Sequence, residues 1–244
     1  ALYTGTANTQ DLGGPVKADF GVQNFDPATS PYGIFNLDAS QTAGDLQVSA
    51  GLILHYDKNP LVFIPDDGGD KIPILEDQLV AEALFALGIT DSLEFGLAFP
   101  IYLLNSANVQ DVSIDGATLG DLRLRPKYTV LNAETDPIGL AFVLQLTVPT
   151  GDSQAFTSNG QVAVRPSLVL DKKIDRLLLA MNLGTTFQSE RDFGNLAVGS
   201  VLVMGAGLQY EILENRLLVG TEIFGSTSFD DFFNNILNYF SNHF

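Results

Sequence analysis

Apolar and polar positions alternate along most of the chain from about Gly44 onward, in runs of roughly ten residues. A period of two is typical of β-strands, because successive side chains point to opposite faces. No apolar run approaches the ~20 residues that a membrane-spanning helix needs, whereas a barrel strand needs only ~9–11. The alternation predicts nine strands: Asp45–Tyr56, Asp77–Thr90, Leu93–Leu104, Gly120–Leu131, Gly139–Pro149, Gln161–Leu170, Arg176–Gln188, Leu196–Ile212 and Arg216–Phe224.

The connections between these runs alternate between long and short. The long ones fall near Asp57–Asp77, Ser106–Leu119, Thr150–Gly160 and Ser189–Asn195, and the short ones at Thr90–Ser92, Asn132–Pro137, Asp171–Asp175 and Leu213–Asn215. This alternation of long and short connections predicts an all-β fold. The predicted architecture is an antiparallel up-and-down transmembrane β-barrel of about 10 strands (roughly 8–12), with long outer loops and short periplasmic turns.

The two ends of the chain depart from the alternation. Residues 1–43 are rich in Gly, Thr, Asn, Asp and Pro, and they predict an extended N-terminal leader that serves as a periplasmic arm, as a plug inside the lumen or as a binding strand for a partner. Residues 44–244 form the predicted barrel domain. An even strand count requires a tenth strand, for which Asn234–Phe244 is the candidate, while Phe232–Phe244 also fits an amphipathic helix or a truncated remnant.

Charge and cysteine content narrow the possible partners. The formal net charge is −17, which argues against nucleic acid, because phosphates attract clusters of Lys and Arg. Cysteine is absent, so disulfides, thiolate metal sites and cysteine nucleophiles are excluded. The expected partners are outer-membrane lipid and lipopolysaccharide, together with other envelope proteins.

Charged side chains occupy the mixed face of several predicted strands, which we assign to the barrel interior. Charges away from water must be paired, so a mutually satisfied ladder is favoured over a narrow aqueous pore lined by the same groups. The predicted lumen-lining residues are four acids and four bases: Glu82, Glu94, Arg123, Arg125, Lys127, Arg165, Glu211 and Glu222.

Candidates for catalysis or metal binding are few. His55 shares the inward face with Ser49, but six residues along a strand separate the two by ~20 Å, too far for proton transfer. The acidic cluster at Asp66, Asp67 and Asp70 is a weak candidate for a divalent cation, because it lacks the spacing and the distal Glu of a calcium loop. A solvated acidic turn is the favoured interpretation. The sequence therefore predicts no enzyme, no cofactor and no metal.

Four short stretches carry a resemblance to a known family. They are Phe25-Asp26-Pro27-Ala28-Thr29-Ser30-Pro31-Tyr32-Gly33-Ile34-Phe35, Tyr56-Asp57-Lys58-Asn59-Pro60-Leu61-Val62, Gly120-Asp121-Leu122-Arg123-Leu124-Arg125-Pro126-Lys127 and Val148-Pro149-Thr150-Gly151-Asp152-Ser153. Together they resemble the outer-membrane β-barrel portion of OmpA-type porin-like proteins of myxobacteria and related groups, from about Phe25 to Gly225.

This resemblance implies anchoring in the envelope and slow diffusion of small solutes. The family's barrel is often followed by a peptidoglycan-binding domain, which residues 1–244 do not include, so we expect a barrel-only relative or part of a longer product.

Three functions are consistent with the sequence. The first is a non-enzymatic, structural or porin-like outer-membrane barrel, either on its own or as the membrane anchor of a larger envelope assembly. The second is an open channel for small solutes. The third is a soluble secreted β-sandwich.

Overall fold

A computed structural model describes residues 25–63, 71–107, 117–153, 155–193, 196–214 and 216–228. They form twelve strands: β1 (Val48–Phe63), β2 (Ile72–Thr90), β3 (Leu93–Ala107), β4 (Thr118–Leu119), β5 (Leu122–Leu131), β6 (Gly139–Val148), β7 (Ala163–Ile174), β8 (Leu177–Thr186), β9 (Arg191–Phe193), β10 (Leu196–Val198), β11 (Val201–Leu213) and β12 (Leu217–Ser228). Within these ranges no helix is long and apolar enough to cross a membrane.

Ten of the strands form one antiparallel sheet in the order β1-β2-β3-β5-β6-β7-β8-β11-β12, with β4 paired to β3. The sheet runs up and down and curls into a half-barrel. Its turn end carries the short connections after β2, β5, β7 and β11, and its loop end carries the long ones after β1, β3, β6 and β8. At the loop end, β9 and β10 form a separate two-stranded sheet.

The all-β prediction and its nine strands are confirmed, with shifted boundaries. β1 and β2 stay paired beyond Tyr56, as far as Phe63↔Ile72, through two register shifts, so part of the predicted loop 57–77 is strand. Backbone pairing does not require alternation of apolar and polar residues. The predicted strand therefore ended at Tyr56, although β1 continues to Phe63. The predicted strand 196–212 is divided, because residues 196–198 pair with β9 and β11 begins at Val201. The predicted strand 234–244 lies outside the described residues.

The two faces of the sheet have opposite polarity. The outward face carries large apolar side chains that are exposed, such as Leu52 at 67%, Met181 at 61% and Ile223 at 76%. The inward face carries charged side chains that are buried, such as Glu82 at 0% and Lys127 at 2%. Water-soluble proteins have the reverse arrangement, since burial of apolar surface drives their folding.

Residues 25–43, called here the inner segment, lie against the inward face in the turn half of the sheet. A tight turn at Phe35 and Asn36 is closed by reciprocal backbone hydrogen bonds between Ile34 and Leu37, of 2.8 and 2.6 Å. Ile34 and Leu37 are buried with Ala180 of β8. The inner segment therefore fills space that the curled sheet would otherwise enclose.

Glycines on the inward face allow this close approach. A Cβ at Gly96 would lie 2.0 Å from the hydroxyl oxygen of Thr29. Cβ atoms at Gly205 and Gly207 would lie 2.6 and 2.9 Å from the side chain of Leu37. Real Cβ atoms do not approach other atoms so closely, so any larger residue at these positions would push the inner segment away.

Candidate functional site

The predicted lumen-lining charges of β2, β3 and β5 lie on the inward face and are almost completely buried. The exposed fractions are 0% for Glu82, 1% for Glu94, 6% for Arg123, 6% for Arg125 and 2% for Lys127. The strict alternation of β5 produces this row, because Arg123, Arg125 and Lys127 are each two residues apart. Burial of so many charges requires partners for each of them.

Two of these bases pair with acids of the sheet itself. Lys127 Nζ lies 3.1 Å from Glu94 Oε1, and the two residues are direct cross-strand neighbours of β5 and β3. A guanidinium nitrogen of Arg123 donates to Glu82 of β2. Lys127–Glu94 therefore joins two adjacent strands, whereas Arg123–Glu82 reaches across β3.

The inner segment supplies the remaining acids. Asp26 lies at the centre: its Oδ1 is 2.8 Å from Arg123 Nη1 and 3.4 Å from Arg125 Nη1, and its Oδ2 is 2.6 Å from Arg165 Nη1. Gln145 Nε2 donates to the same Oδ2 at 2.8 Å. The carboxylate of Asp26 thus contacts side chains of three strands, β5, β6 and β7.

The charge state of Asp26 follows from these contacts. Burial alone would raise the pKa of its carboxyl, but the positive charges of Arg123, Arg165 and Arg125 and the hydrogen bond from Gln145 lower it by more. The net result is a pKa well below the ordinary range for aspartate. Asp26 is therefore ionised at neutral pH and serves as the anionic partner of the arginines.

Further polar contacts hold the rest of the inner segment. Arg125 also donates to Asp38, and Lys127 Nζ donates to the carbonyl of Gln41 at 2.7 Å. The backbone N–H and the hydroxyl of Ser40 donate to Asp171 of β7, both at 3.1 Å. Side chains of the inward face therefore satisfy backbone and side-chain groups of a segment that belongs to no strand.

The last three predicted lumen residues, Arg165, Glu211 and Glu222, lie on β7, β11 and β12. Glu222 accepts hydrogen bonds from Asn36 of the inner segment, including one of 2.6 Å from the side-chain amide. Glu211 lies near the turn end of β11, where its backbone N–H donates to the carbonyl of Arg176 at 2.9 Å. Arg165 contacts Asp26 and donates through Nε to Thr186 at 2.7 Å.

A cavity of about 370 Å³ lies in the loop half of the lumen. Its floor is the inner segment, through Asp26, Asn36, Leu37 and Asp38. Its wall contains polar side chains and apolar ones from β3, β5, β6, β7, β8, β11 and β12. A cavity of this size with mixed walls is in the range of small-molecule sites.

The other sequence candidates are located as follows. His55 Nδ1 lies 3.0 Å from Asp57 Oδ2 and its Nε2 lies 3.8 Å from Glu82 Oε1, so acids flank it on both sides. The acidic cluster Asp66, Asp67 and Asp70 lies outside the described residues. Among the residues that are described, no group of three or more His, Asp or Glu side chains is arranged to hold a metal ion.

The predicted set of lumen-lining residues did not include Asp26, Asp38, Gln145 and Asp171. The acids of the inner segment lie where no alternation marks a face, so nothing in the pattern pointed them inward. Glycines on the inward face of otherwise regular strands could have indicated that another segment lies there, because a glycine in a strand often marks the close approach of another backbone. The glycines that contact the inner segment directly are Gly96, Gly139, Gly205 and Gly207.

Comparison with known proteins gives one family match. The model of a family described as "Putative MetA-pathway of phenol degradation" matches residues 75–243, which is more than half of the chain. The match includes every described strand from β3 to β12 and most of β2, and the inner segment precedes it. No curated protein matches the chain.

Proposed function

This chain belongs to the family described as "Putative MetA-pathway of phenol degradation", and we propose that it is a non-enzymatic β-barrel of the bacterial outer membrane. In this proposal the barrel is a structural or porin-like element that contacts outer-membrane lipid and lipopolysaccharide, and it needs no cofactor. The resemblance of residues 25–225 to OmpA-type porin-like proteins remains a prediction within it.

The observation that carries the proposal is the reversed polarity of the sheet. Leu54, Leu144 and Met181 are exposed at 62%, 45% and 61%, although they lie on different strands of one continuous face. A monomer in water rarely exposes a connected apolar patch of more than several hundred Å². Acyl chains are the environment in which such a face is stable, because the backbone of every interior strand is already hydrogen-bonded.

Exposed aromatic side chains near both ends of the strands agree with this placement. Phe187 lies at the loop end, and Tyr128, Phe142 and Tyr210 lie towards the turn end, each about half exposed. Aromatic residues favour the two membrane interfaces, where one edge of the ring meets lipid and the other meets water.

Membrane fractionation of cells that express the chain tests the proposal directly. We expect the protein in the outer-membrane fraction, resistant to extraction by salt, with a folded form in detergent that migrates differently in gels before and after boiling. Recovery of a compact monomer in buffer without detergent would contradict the proposal. It would favour the soluble β-sandwich, although the described residues form one large sheet and not two packed sheets.

A second candidate function is passage of small solutes through the lumen. The cavity of about 370 Å³ in the loop half supports it, and the inner segment would then limit the flow. Planar-bilayer recordings of the wild type and of Asp26→Asn separate the possibilities. Steady current in the wild type supports an open channel, and current only in the variant supports a lumen closed by the inner segment. Silence of both proteins contradicts passage.

A further inference from the structure

Every interior strand of the sheet is paired on both sides, but two of these pairings are interrupted at a proline. β5 and β6 pair in one unchanged register on either side of Arg125 and Pro126, and these two residues have no backbone partner on β6. β7 and β8 likewise pair on either side of Arg165 and Pro166, which have no backbone partner on β8. Each break in the wall therefore falls on an Arg-Pro pair.

Both prolines occupy positions where an N–H would point across the break. The N–H of Thr129 donates to Ser92, the residue before β3. Because N–H groups alternate sides along a strand, the N–H at position 126 would point to β6. The N–H of Val164 donates to Phe187, so the N–H at position 166 would point to β8. Proline has no N–H, and the two pairings therefore lack hydrogen bonds that a regular ladder would have.

Between the two breaks, β6 and β7 form an intact hairpin. They pair without interruption from Gly139↔Asp171 to Thr147↔Ala163. From the breaks to the loop end, the described part of β6 keeps three backbone pairs with β5, and that of β7 keeps one bridge to β8. The loop half of the β6–β7 hairpin is therefore weakly held on both of its sides.

An apolar groove lies on the outward face over the first break. Leu144 of β6 lies between the two prolines, because Pro166 is its neighbour on β7 and the register places Pro126 opposite it on β5. Two residues of the groove, Val143 and Ser167, also line the lumen cavity. The groove and the cavity thus approach each other from opposite sides of the wall at the level of the break.

On the lumen side, Asp26 connects the strands at the same level. Its carboxylate lies 3.4 Å from a guanidinium nitrogen of Arg125 and 2.6 Å from one of Arg165, and it accepts from Gln145 Nε2 at 2.8 Å. Each of these three residues is next in sequence to one of the prolines or to the leucine between them. While the inner segment is inserted, it therefore holds β5, β6 and β7 together across the first break.

We propose that the β6–β7 hairpin moves away from β5 at the Pro126 break, and that small uncharged apolar solutes pass sideways through this opening between the lumen cavity and the membrane. The cavity, of about 370 Å³, exceeds the roughly 150 Å³ that holds a benzene ring. The inner segment fills the turn half of the lumen, so the wall offers the shorter exit. An apolar solute gains free energy when it leaves water for acyl chains, whereas a charged solute does not.

This inference rests on the proposed membrane location and adds to it a route and a class of solute. Uptake of the apolar fluorophore N-phenyl-1-naphthylamine by cells with an intact outer membrane tests the route, because lipopolysaccharide excludes this dye. The charged control is 8-anilino-1-naphthalenesulfonate, which has the same rings and a sulfonate. We expect cells that express the wild type to take up the apolar dye several-fold faster than cells without the protein, and the charged dye at the same rate.

A first pair of variants restores the missing donor. Pro126→Val supplies an N–H that points to β6, so we expect apolar uptake to fall towards the rate of cells without the protein. Pro73→Val is the matched control, because Pro73 lies on β2 and lines neither the groove nor the cavity. We expect this control to leave the uptake unchanged.

A second pair of variants locks the wall with a disulfide, for which the Cα spacing of direct cross-strand neighbours is suitable. Leu124→Cys with Leu146→Cys joins β5 to β6 just beyond the break, and we expect it to abolish the added uptake. Leu140→Cys with Leu170→Cys joins β6 to β7, which move together, and should have no effect. Loss of maleimide-reactive thiol in the denatured protein confirms each disulfide.

The outcomes separate this inference from the membrane proposal. The same cells are fractionated and tested for the heat-sensitive folded band, the form whose gel migration changes on boiling. Equal apolar uptake with and without a protein that lies in the outer membrane and shows this band would overturn the lateral route alone. Uptake that persists in both Pro126→Val and the locked variant would also overturn it. Recovery of the protein in the soluble fraction would contradict the membrane proposal, and this inference with it.

Discussion

Replacement of Asp26 by asparagine tests whether the contacts of this carboxylate hold the inner segment against the sheet. The change keeps the side chain's size but removes the charge that lies 2.6 Å from Arg165 and 2.8 Å from Arg123. At an effective dielectric constant of about 20, each such contact is worth about 6 kcal/mol before desolvation is counted. Removal of one partner from a buried pair costs about 3–5 kcal/mol net.

The lower end of that range applies here. Arg123 keeps Glu82 and Arg125 keeps Asp38, so Arg165 alone loses its carboxylate among the contacts described above. A cost of about 3 kcal/mol shifts the equilibrium between the inserted and the released inner segment on the order of 100-fold. The sheet should survive this change, because its own strand pairing is unaffected.

Cysteine labelling measures the release. The chain has no cysteine, so Ala28→Cys, at a position that is 6% exposed, introduces one reporter into the inner segment. We expect a water-soluble maleimide to label this cysteine on the order of 100-fold faster when Asp26→Asn is added. Asp45→Asn, an exposed acid just after the segment, is the matched control. Equal labelling rates in the Asp26 and Asp45 variants would refute the role of the Asp26 contacts.

Three further predictions concern the proposed lipid-facing surface, the inward glycines and the effect of pH. Leu144→Arg, at mid-depth on the outward face, should lower the folding stability by about 2–4 kcal/mol and abolish the heat-sensitive folded band. Leu213→Arg at the turn end should lower it by at most about 1 kcal/mol. Similar losses of stability in both variants would contradict the proposed lipid-facing surface. Gly96→Ala places a methyl group 2.0 Å from a hydroxyl oxygen of the inner segment and should speed labelling of the reporter cysteine, while Gly225→Ala, with nothing within 4 Å, should not. The pKa of Asp26 is lowered in the folded protein, so its contribution to stability is fully present above the ordinary aspartate value of ~3.9 and is lost as pH falls through the lower folded value. The increase in labelling rate that Asp26→Asn causes should therefore be the same at pH 7 and pH 5, and a smaller increase at pH 5 would contradict the low pKa of Asp26.

The sequence was a good guide to the sheet and a poor guide to what fills it. Alternation placed Arg123, Arg125 and Lys127 on one face because a strand has a fixed period of two, and long-range folding does not change that period. The boundaries were less accurate, since pairing of β1 with β2 continues through residues whose polarity no longer alternates.

The partners of these charges could not be read from the pattern. Asp26 and Asp38 lie in a segment without periodicity, so their direction depends on contacts with strands about 90 to 140 residues away, as in Arg125–Asp38 and Arg165–Asp26. The cavity is likewise a product of the curvature of the sheet and of the depth to which the inner segment enters. The sequence pattern gives neither quantity, and the inward glycines indicate only that another segment approaches them closely.

The contacts of Glu222 with Asn36 have a consequence for biogenesis. The two residues are 186 positions apart, so the inner segment, which is synthesised before the strands, gains some of its partners only when β12 is in place. Until then, closing so large a loop costs entropy that no contact repays. An early strand-like pairing of the inner segment would therefore be a kinetic trap for folding.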